Sequence, residues 1–185
     1  MRVVAGALGG RVLAAPRGAE TRPTSERVRE ALFAVLGELE GARVLDLFAG
    51  TGALALEALS RGAARAILVE RARPALEAIR SNVRALDVAD RARVIAAPVE
   101  RSLAAVRRHA PFDLVLCDPP WGAAAAVEAT LARWPWPELL APGGRLALEH
   151  AASAPPSLAS PELAAAWTRA WGDTAFTVYR LRHGG

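Results

Sequence analysis

The stretch Val44-Leu45-Asp46-Leu47-Phe48-Ala49-Gly50-Thr51-Gly52 decides the fold. A short, largely apolar run enters a glycine turn, and residues 53–61 continue with helical spacing until Gly62. A buried-type strand that passes straight into a helix is the unit of a parallel sheet covered on both faces. The alternation repeats downstream. Residues 65–70 read as a second strand, and 74–86 as a helix with Leu76, Ile79, Val83 and Leu86 on one side and Pro74 in its first turn. Segments 93–96 and 112–118 read as strands separated by a helix over 99–108, and another helix falls near 124–133. Pro142-Gly143-Gly144 turns into a strand over 145–150. Strands near 166–171 and 174–181 flank Gly172-Asp173, a dipeptide suited to a hairpin turn. The expected architecture is a doubly wound, Rossmann-like α/β fold, with a mostly parallel seven-stranded sheet and an antiparallel C-terminal hairpin.

Upstream, Val3-Val4-Ala5 and Arg11-Val12-Leu13 read as two short strands around Gly6, Gly9 and Gly10, a small β-hairpin. Residues 16–23 are loop. Val28, Ala31, Leu32, Val35, Leu36 and Leu39 form a helical stripe, with Thr24 as its cap and Gly41 as its stop. The chain therefore divides into an extension over 1–23 and one globular unit over 24–185.

Composition narrows the function. With 185 residues, 52% hydrophobic and 23% charged, the chain has the balance of a single globular domain. The single Cys117 cannot form an internal disulfide, which suits a reducing cytoplasm. The apolar run before Arg11 is too short for a signal peptide or membrane span. All 23 basic residues are arginine, and alanine fills 43 positions, so isolated arginines carry little weight. Their placement carries more. Residues 1–29 hold 6 arginines against 2 glutamates, whereas 30–185 hold 17 arginines against 17 acids. A basic end on a balanced domain points to an anionic partner such as nucleic acid. The bland alternative is a solvated face.

The glycine turn is the first candidate site. Its glycines let backbone approach a ligand, and the following helix offers unpaired N–H groups. In a doubly wound sheet this place lies at the carboxyl ends of the strands, where such folds bind ligands. Glu70 ends the next strand and can accept both hydroxyls of a ribose. A dinucleotide competes, because Gly50-Thr51-Gly52-Ala53-Leu54-Ala55 fits the spacing of its fingerprint with alanine in the third place. Asp46 favours another ligand: a carboxylate here repels a pyrophosphate but suits a cation bearing an amino acid and a nucleoside. S-adenosylmethionine is such a ligand, with Asp46, Phe48, Ala49, Gly50, Thr51, Gly52 and Glu70 as its expected contacts. A plain strand–helix turn without ligand is the competing structural reading.

The second candidate is Asp118-Pro119-Pro120-Trp121 at the end of the fourth strand. Two prolines remove two N–H donors and stiffen the backbone, so the Pro119 carbonyl is held with fixed aim. Asp118 and that carbonyl form an acceptor pair for an exocyclic amino group, and Trp121 offers a face for stacking a base. An aromatic amine gives its lone pair to the ring and is a poor nucleophile. Acceptors on its hydrogens favour the tetrahedral nitrogen that forms as a methyl group arrives. A base inside folded nucleic acid must be unstacked to reach such a site. Read alone, the segment is also an ordinary Pro-Pro strand stop with a packed tryptophan.

Together these residues resemble the S-adenosylmethionine-dependent amino-methyltransferases. The amino-terminal stretch narrows the likeness. Gly6, Gly10-Arg11 and Leu13, then Arg22-Pro23-Thr24-Ser25-Glu26-Arg27-Val28-Arg29-Glu30-Ala31-Leu32-Phe33, is similar to the bacterial 16S rRNA guanine-N(2)-methyltransferases of the RsmD type. The resemblance implies methyl transfer to the 2-amino group of a guanine in the small ribosomal subunit. The expected protein is a cytoplasmic monomer. It also implies RNA contacts through Arg11, Arg22, Arg27 and Arg29. Relatives often place a polar residue after the third strand to hold the cofactor adenine. Here Ala96-Ala97-Pro98 leaves the backbone of Ala97 as the candidate.

Two other functions compete. A DNA amino-methyltransferase acting on adenine or cytosine would use the same acceptor logic, but no large segment for reading DNA sequence is visible. A catalytically silent RNA-binding assembly factor would not need an intact Asp118-Pro119-Pro120-Trp121. Cys117 reads as a small buried residue. His109, His150 and His183 lack metal-ligand spacing. Trp134, Trp136, Trp167 and Trp171 read as packing residues. Glu149, on a strand end, is a lesser candidate for substrate contact.

Overall fold

Strands buried on both faces form the centre of the molecule. The computed structural model describes residues 1–16 and 25–182. Helix α1 (Glu26–Leu36) precedes β1 (Arg43–Leu47), α2 (Ala53–Ser60), β2 (Arg65–Glu70), α3 (Arg73–Ala85), β3 (Ala92–Ala96), α4 (Val99–Arg107) and β4 (Phe112–Cys117). A short 3-10 turn then leads to α5 (Ala124–Leu131), α6 (Trp136–Leu139), β5 (Leu140–Ala151), β6 (Leu163–Trp171) and β7 (Thr174–Leu181). The seven strands lie in the order β3-β2-β1-β4-β5-β7-β6. β1 to β5 are mutually parallel, while β7 runs antiparallel to both β5 and β6. This is the expected doubly wound sheet with its C-terminal hairpin.

Alternation explains the two layers. Val44, Ala66, Leu68, Leu114, Leu116 and Phe176 face one side, where α1, α2 and α3 pack. Leu45, Leu47, Ile67, Val69, Val115 and Cys117 face the other, against α4, α5 and α6. Both faces are covered, so the strands read as continuous apolar runs rather than alternating ones.

Several boundaries differ from the sequence reading. Thr24, the expected cap of α1, lies outside the described residues. Ser25 caps the helix instead, its Oγ accepting the Val28 N–H at 3.2 Å. The stop is Gly37, with φ of 76°, rather than Gly41, and Leu39 continues the apolar stripe beyond the helix. Pro142-Gly143-Gly144 does not precede β5 but lies within it, and the β4–β5 register shifts between Phe112 and Leu114 to absorb it. α6 was not expected; Trp136 is wholly buried there and its indole N–H donates to the Leu131 carbonyl at 2.8 Å.

The N-terminal arm is a hairpin reduced to one bridge, Arg2 with Val12, and flanked by Val3 N–H to Arg11 O and Leu13 N–H to Met1 O. Its backbone is held by buried side chains of α2 and α3. Glu57 accepts the N–H groups of Val4 and Ala5 at 2.7 and 3.1 Å. Ser60 Oγ accepts that of Leu8 at 2.9 Å, and Asn82 Oδ1 that of Ala14 at 2.7 Å. Gly6, at φ of 84°, passes so close to α2 that a Cβ would stand 2.0 Å from the Ser60 carbonyl oxygen. Only glycine fits there.

Candidate active site

Strand register brings the candidate residues to one edge. β1 and β2 pair up to Leu47 and Val69, so Phe48 and Glu70 follow side by side. β1 and β4 pair up to Leu47 and Cys117, so Phe48 also neighbours Asp118, whose N–H reaches Leu47 O at 3.4 Å. Glu70 pairs with Ala96, which sets Ala97 beside it, and Cys117 pairs with Leu148, which sets Glu149 beside Asp118. The chain reverses its winding direction between β1 and β4, the switch point at which such sheets open a crevice. A cleft of about 1340 Å³ lies there. It is lined by Phe48, Ala49, Gly50, Thr51, Glu70 and Ala97, and by Asp118, Pro119 and Pro120.

The turn itself is shaped by backbone that side chains rarely allow. Phe48 has φ of 65°, a left-handed conformation that is costly for a bulky residue. Gly50 and Gly52 follow with φ of 57° and 80°. Ala49 N–H donates to Val69 O at 3.0 Å, fastening the turn to β2.

Asp46 enters differently from expectation. It is completely buried and does not line the cleft. Its Oδ2 accepts the Ala55 N–H at 3.0 Å, bracing the first turn of α2 from beneath, and its Oδ1 has no hydrogen-bond partner. Burial pushes its pKa up to about 8, opposed by the Ala55 N–H and reinforced by the charges of Asp118 and Glu70. A carboxyl that keeps its proton near neutrality cannot repel a pyrophosphate as the sequence argument required. Gly52 likewise lies beneath the cleft wall as the N-cap of α2.

Glu70 is the better-placed acid. Oε2 accepts the Gly50 N–H at 2.9 Å, and Oε1 accepts those of Arg71 and Ala72, each at 2.7 Å. A carboxylate offers about four lone-pair positions. Three are taken, so Oε2 retains room for one hydroxyl rather than two. Ala97 N–H donates to Glu70 O at 3.0 Å, so of the two backbone groups of this expected adenine contact the N–H is already engaged.

The Asp118 corner is half-buried, with Pro119 buried and Pro120 exposed at the rim. Cys117, one residue earlier, points into the opposite layer, and burial pushes its thiol pKa well above the usual range. That is the environment of an inert packing residue.

The arginines separate into different roles. Arg27 is exposed on α1 and lines the cleft. Arg11 is exposed and donates to the Ala85 carbonyl at 2.6 Å. Arg22 lies outside the described residues. Arg29, expected on RNA, is instead fully buried. Its guanidinium pairs with Glu57 at 3.5 Å and donates to the Arg2 carbonyl, which ties α1, α2 and the arm together. A phosphate cannot reach it there.

Some cleft residues escaped the sequence reading. Trp171, Gly172, Asp173 and Thr174, at the tip of the β6–β7 hairpin, form part of the wall. Glu57 was also missed, although a single carboxylate within the apolar run Ala53-Leu54-Ala55-Leu56-Glu57-Ala58-Leu59 was a usable signal. Among the described residues no group of three His, Cys, Asp or Glu side chains could hold a metal, and no helix is long and apolar enough to cross a membrane.

With this geometry in view, the relatives are informative. A family model described as Conserved hypothetical protein 95 matches residues 1–180. The Ribosomal RNA small subunit methyltransferase D of Escherichia coli (strain K12) is 41% identical over 122 residues, which cover 65% of this chain and 60% of that protein. YlbH of Bacillus subtilis is 42% identical over 123 residues, which cover 65% of this chain and 67% of that one. The solved yhhF protein of Escherichia coli is similar across 98% of this chain and 97% of its own, with a TM-score of 0.81 and 32% identity. The chain therefore belongs to the Conserved hypothetical protein 95 family, the family of the RsmD-type 16S rRNA methyltransferases.

Proposed function

We propose that this chain transfers a methyl group from S-adenosylmethionine to the exocyclic 2-amino group of a guanine in 16S rRNA. The observation that carries the reading is a single cleft holding both the glycine turn with Glu70 and the Asp118-Pro119-Pro120 corner. The relative named as an rRNA methyltransferase supports RNA as the substrate. The likeness of the Arg22–Phe33 segment to its family supports guanine.

The residues present fit the cofactor. The cleft is large enough for a nucleoside, an amino acid and an entering base, since ligand sites commonly run to roughly 300–1,000 Å³. Glu70 Oε2 would take a ribose hydroxyl, the Ala97 carbonyl the adenine amine, and the backbone from Phe48 to Thr51 would lie along the rest. Bound there, S-adenosylmethionine supplies an electrophilic methyl carbon on its sulfonium. The protein's part is to aim and prepare the amine. The Asp118 carboxylate and the Pro119 carbonyl accept its two hydrogens and favour a tetrahedral nitrogen, with Trp121 as the proposed base platform. Asp118 also offers a first resting place for the released proton. Holding both reactants in one geometry supplies much of the acceleration.

The unit over 24–185 is proposed as the catalytic domain and the extension over 1–23 as its RNA guide, with Arg11 and Arg22 of the extension and Arg27 of α1 meeting phosphate. The decisive experiment supplies labelled donor to small ribosomal subunits from a strain lacking the enzyme. Label in N2-methylguanine is the expected result. Label in adenine or cytosine, or none, overturns it.

A further inference from the structure

The tip of the β6–β7 hairpin offers a second aromatic surface to the cleft. β6 is the outermost strand of the sheet and its burial is the thinnest of the strands on that side, with Ala165, Ala166, Thr168, Arg169 and Ala170 all exposed. Edge strands with long exposed stretches usually carry charge to prevent unwanted pairing. This one carries two tryptophans. Beyond the register shift at Ala165 and Trp167, alternation puts Trp167, Arg169 and Trp171 on one face.

That face is the layer of α1, because both tryptophans rest against the core cluster that includes Val28, Leu32 and Phe33. Neither is fully enclosed by it; each remains half-buried. The Arg169 guanidinium lies 5.8 Å from the Trp167 ring centroid. Trp171 lines the cleft, in the same wall as Thr174, with which it pairs across the hairpin. Arg27 of α1 and the Asp118-Pro119-Pro120 corner line the cleft as well.

We infer that Trp171 is a nucleobase-stacking residue for an RNA nucleotide next to the one that enters the cleft, with Arg169 and Trp167 continuing that track along β6. The choice of RNA as occupant rests on the function proposed above. The chemistry fits it specifically. A half-buried indole beside an exposed arginine that lies against a second half-buried indole suits stacked bases followed by backbone phosphate. The neutral face of a base stacks on the Trp171 indole, and the phosphate that follows it falls toward the exposed Arg169.

The test compares Trp171→Leu, which keeps apolar bulk against the core but cannot stack, with Trp171→Phe, which keeps both. Each is titrated with naked 16S rRNA by filter binding, assayed for methyl transfer to small subunits, and titrated with S-adenosylhomocysteine by calorimetry. The expected result is a rise of roughly five- to hundredfold in RNA Kd and KM for Trp171→Leu. Trp171→Phe should stay within about threefold of wild type, and S-adenosylhomocysteine affinity should be unchanged in both. Equal RNA binding by the leucine variant and wild type overturns the proposal, as does equal weakening by leucine and phenylalanine with matched falls in Tm. A wild-type protein that binds the RNA but transfers no methyl group would sink the function proposed above, while the leucine-to-phenylalanine contrast would still decide the role of Trp171.

Discussion

Glu70 Oε2 accepts the backbone N–H of Gly50 at 2.9 Å, so the last residue of β2 holds the turn that leaves β1. The same carboxylate accepts Arg71 and Ala72 through its other oxygen. It is therefore both the brace of the ligand turn and the acceptor with room to spare. Replacing it separates these roles from catalysis.

Glu70→Ala removes three hydrogen bonds to backbone and the proposed ribose acceptor. A charged hydrogen bond contributes on the order of 1.5–3 kcal/mol. Calorimetry with S-adenosylhomocysteine should show a Kd at least about tenfold higher, and Glu70→Gln should fall between the alanine variant and wild type. Unchanged affinity in Glu70→Ala would remove this residue from the cofactor site.

Asp118→Ala should leave that affinity near wild type and reduce kcat sharply. Removing one oriented group that meets developing charge costs roughly 10²–10³ in rate. Asp118→Asn keeps an acceptor oxygen but no charge and should retain more activity than alanine. Single-turnover methyl transfer with saturating RNA measures the chemical step, and a normal rate in the alanine variant would exclude Asp118 from it.

Asp46 predicts a pH dependence of stability. Its carboxyl is raised from 3.8 to about 8 by burial, so the folded chain holds the proton more tightly than the unfolded one. Its contribution is fully present below the unfolded value and is lost as pH rises toward 8. The unfolding free energy from urea titrations should therefore fall between pH 5 and 8 with a slope of up to ~1.4 kcal/mol per pH unit from this group. Asp46→Asn keeps an oxygen for the Ala55 N–H and should flatten that slope. Parallel curves for variant and wild type would show that the carboxyl is already ionised.

The sheet was legible because its strands are short, apolar and punctuated by Gly50-Thr51-Gly52, Gly62 and Pro119-Pro120. The turn at Pro142-Gly143-Gly144 misled, since a bulge inside β5 and a turn before it carry the same residues. The cleft lining was legible where a strand ends on a polar residue, as at Glu70 and Asp118, which both face it. It was not legible where burial decides the role. Nothing in the spacing around Asp46 says that it faces α2 rather than the cleft, and nothing around Arg29 says that Glu57, a distant residue on another helix, will enclose it. The hairpin tip at Trp171 reaches the cleft because β7 inserts between β5 and β6, a placement that residue spacing does not give.

Arg27 and Arg29 lie two positions apart on α1, the first exposed and the second fully buried. Arg29→Met leaves Glu57 buried with fewer donors and frees the Arg2 carbonyl, while relieving two guanidinium nitrogens that have no hydrogen-bond partner. Breaking a buried pair costs on the order of 3 kcal/mol. In a domain of this size that corresponds to a fall in Tm of roughly 6–12 °C. Arg27→Gln should leave Tm unchanged, because the side chain is exposed. Its proposed effect is on RNA binding: if it meets one phosphate, the slope of log K against log salt should drop by about 0.7–0.9. Thermal melts and salt-dependent binding, run on both variants, give a crossed pattern when the assignment is right. A stable Arg29→Met protein with a reduced salt slope would place Arg29 on the RNA after all, and would require α1 to turn its buried face outward.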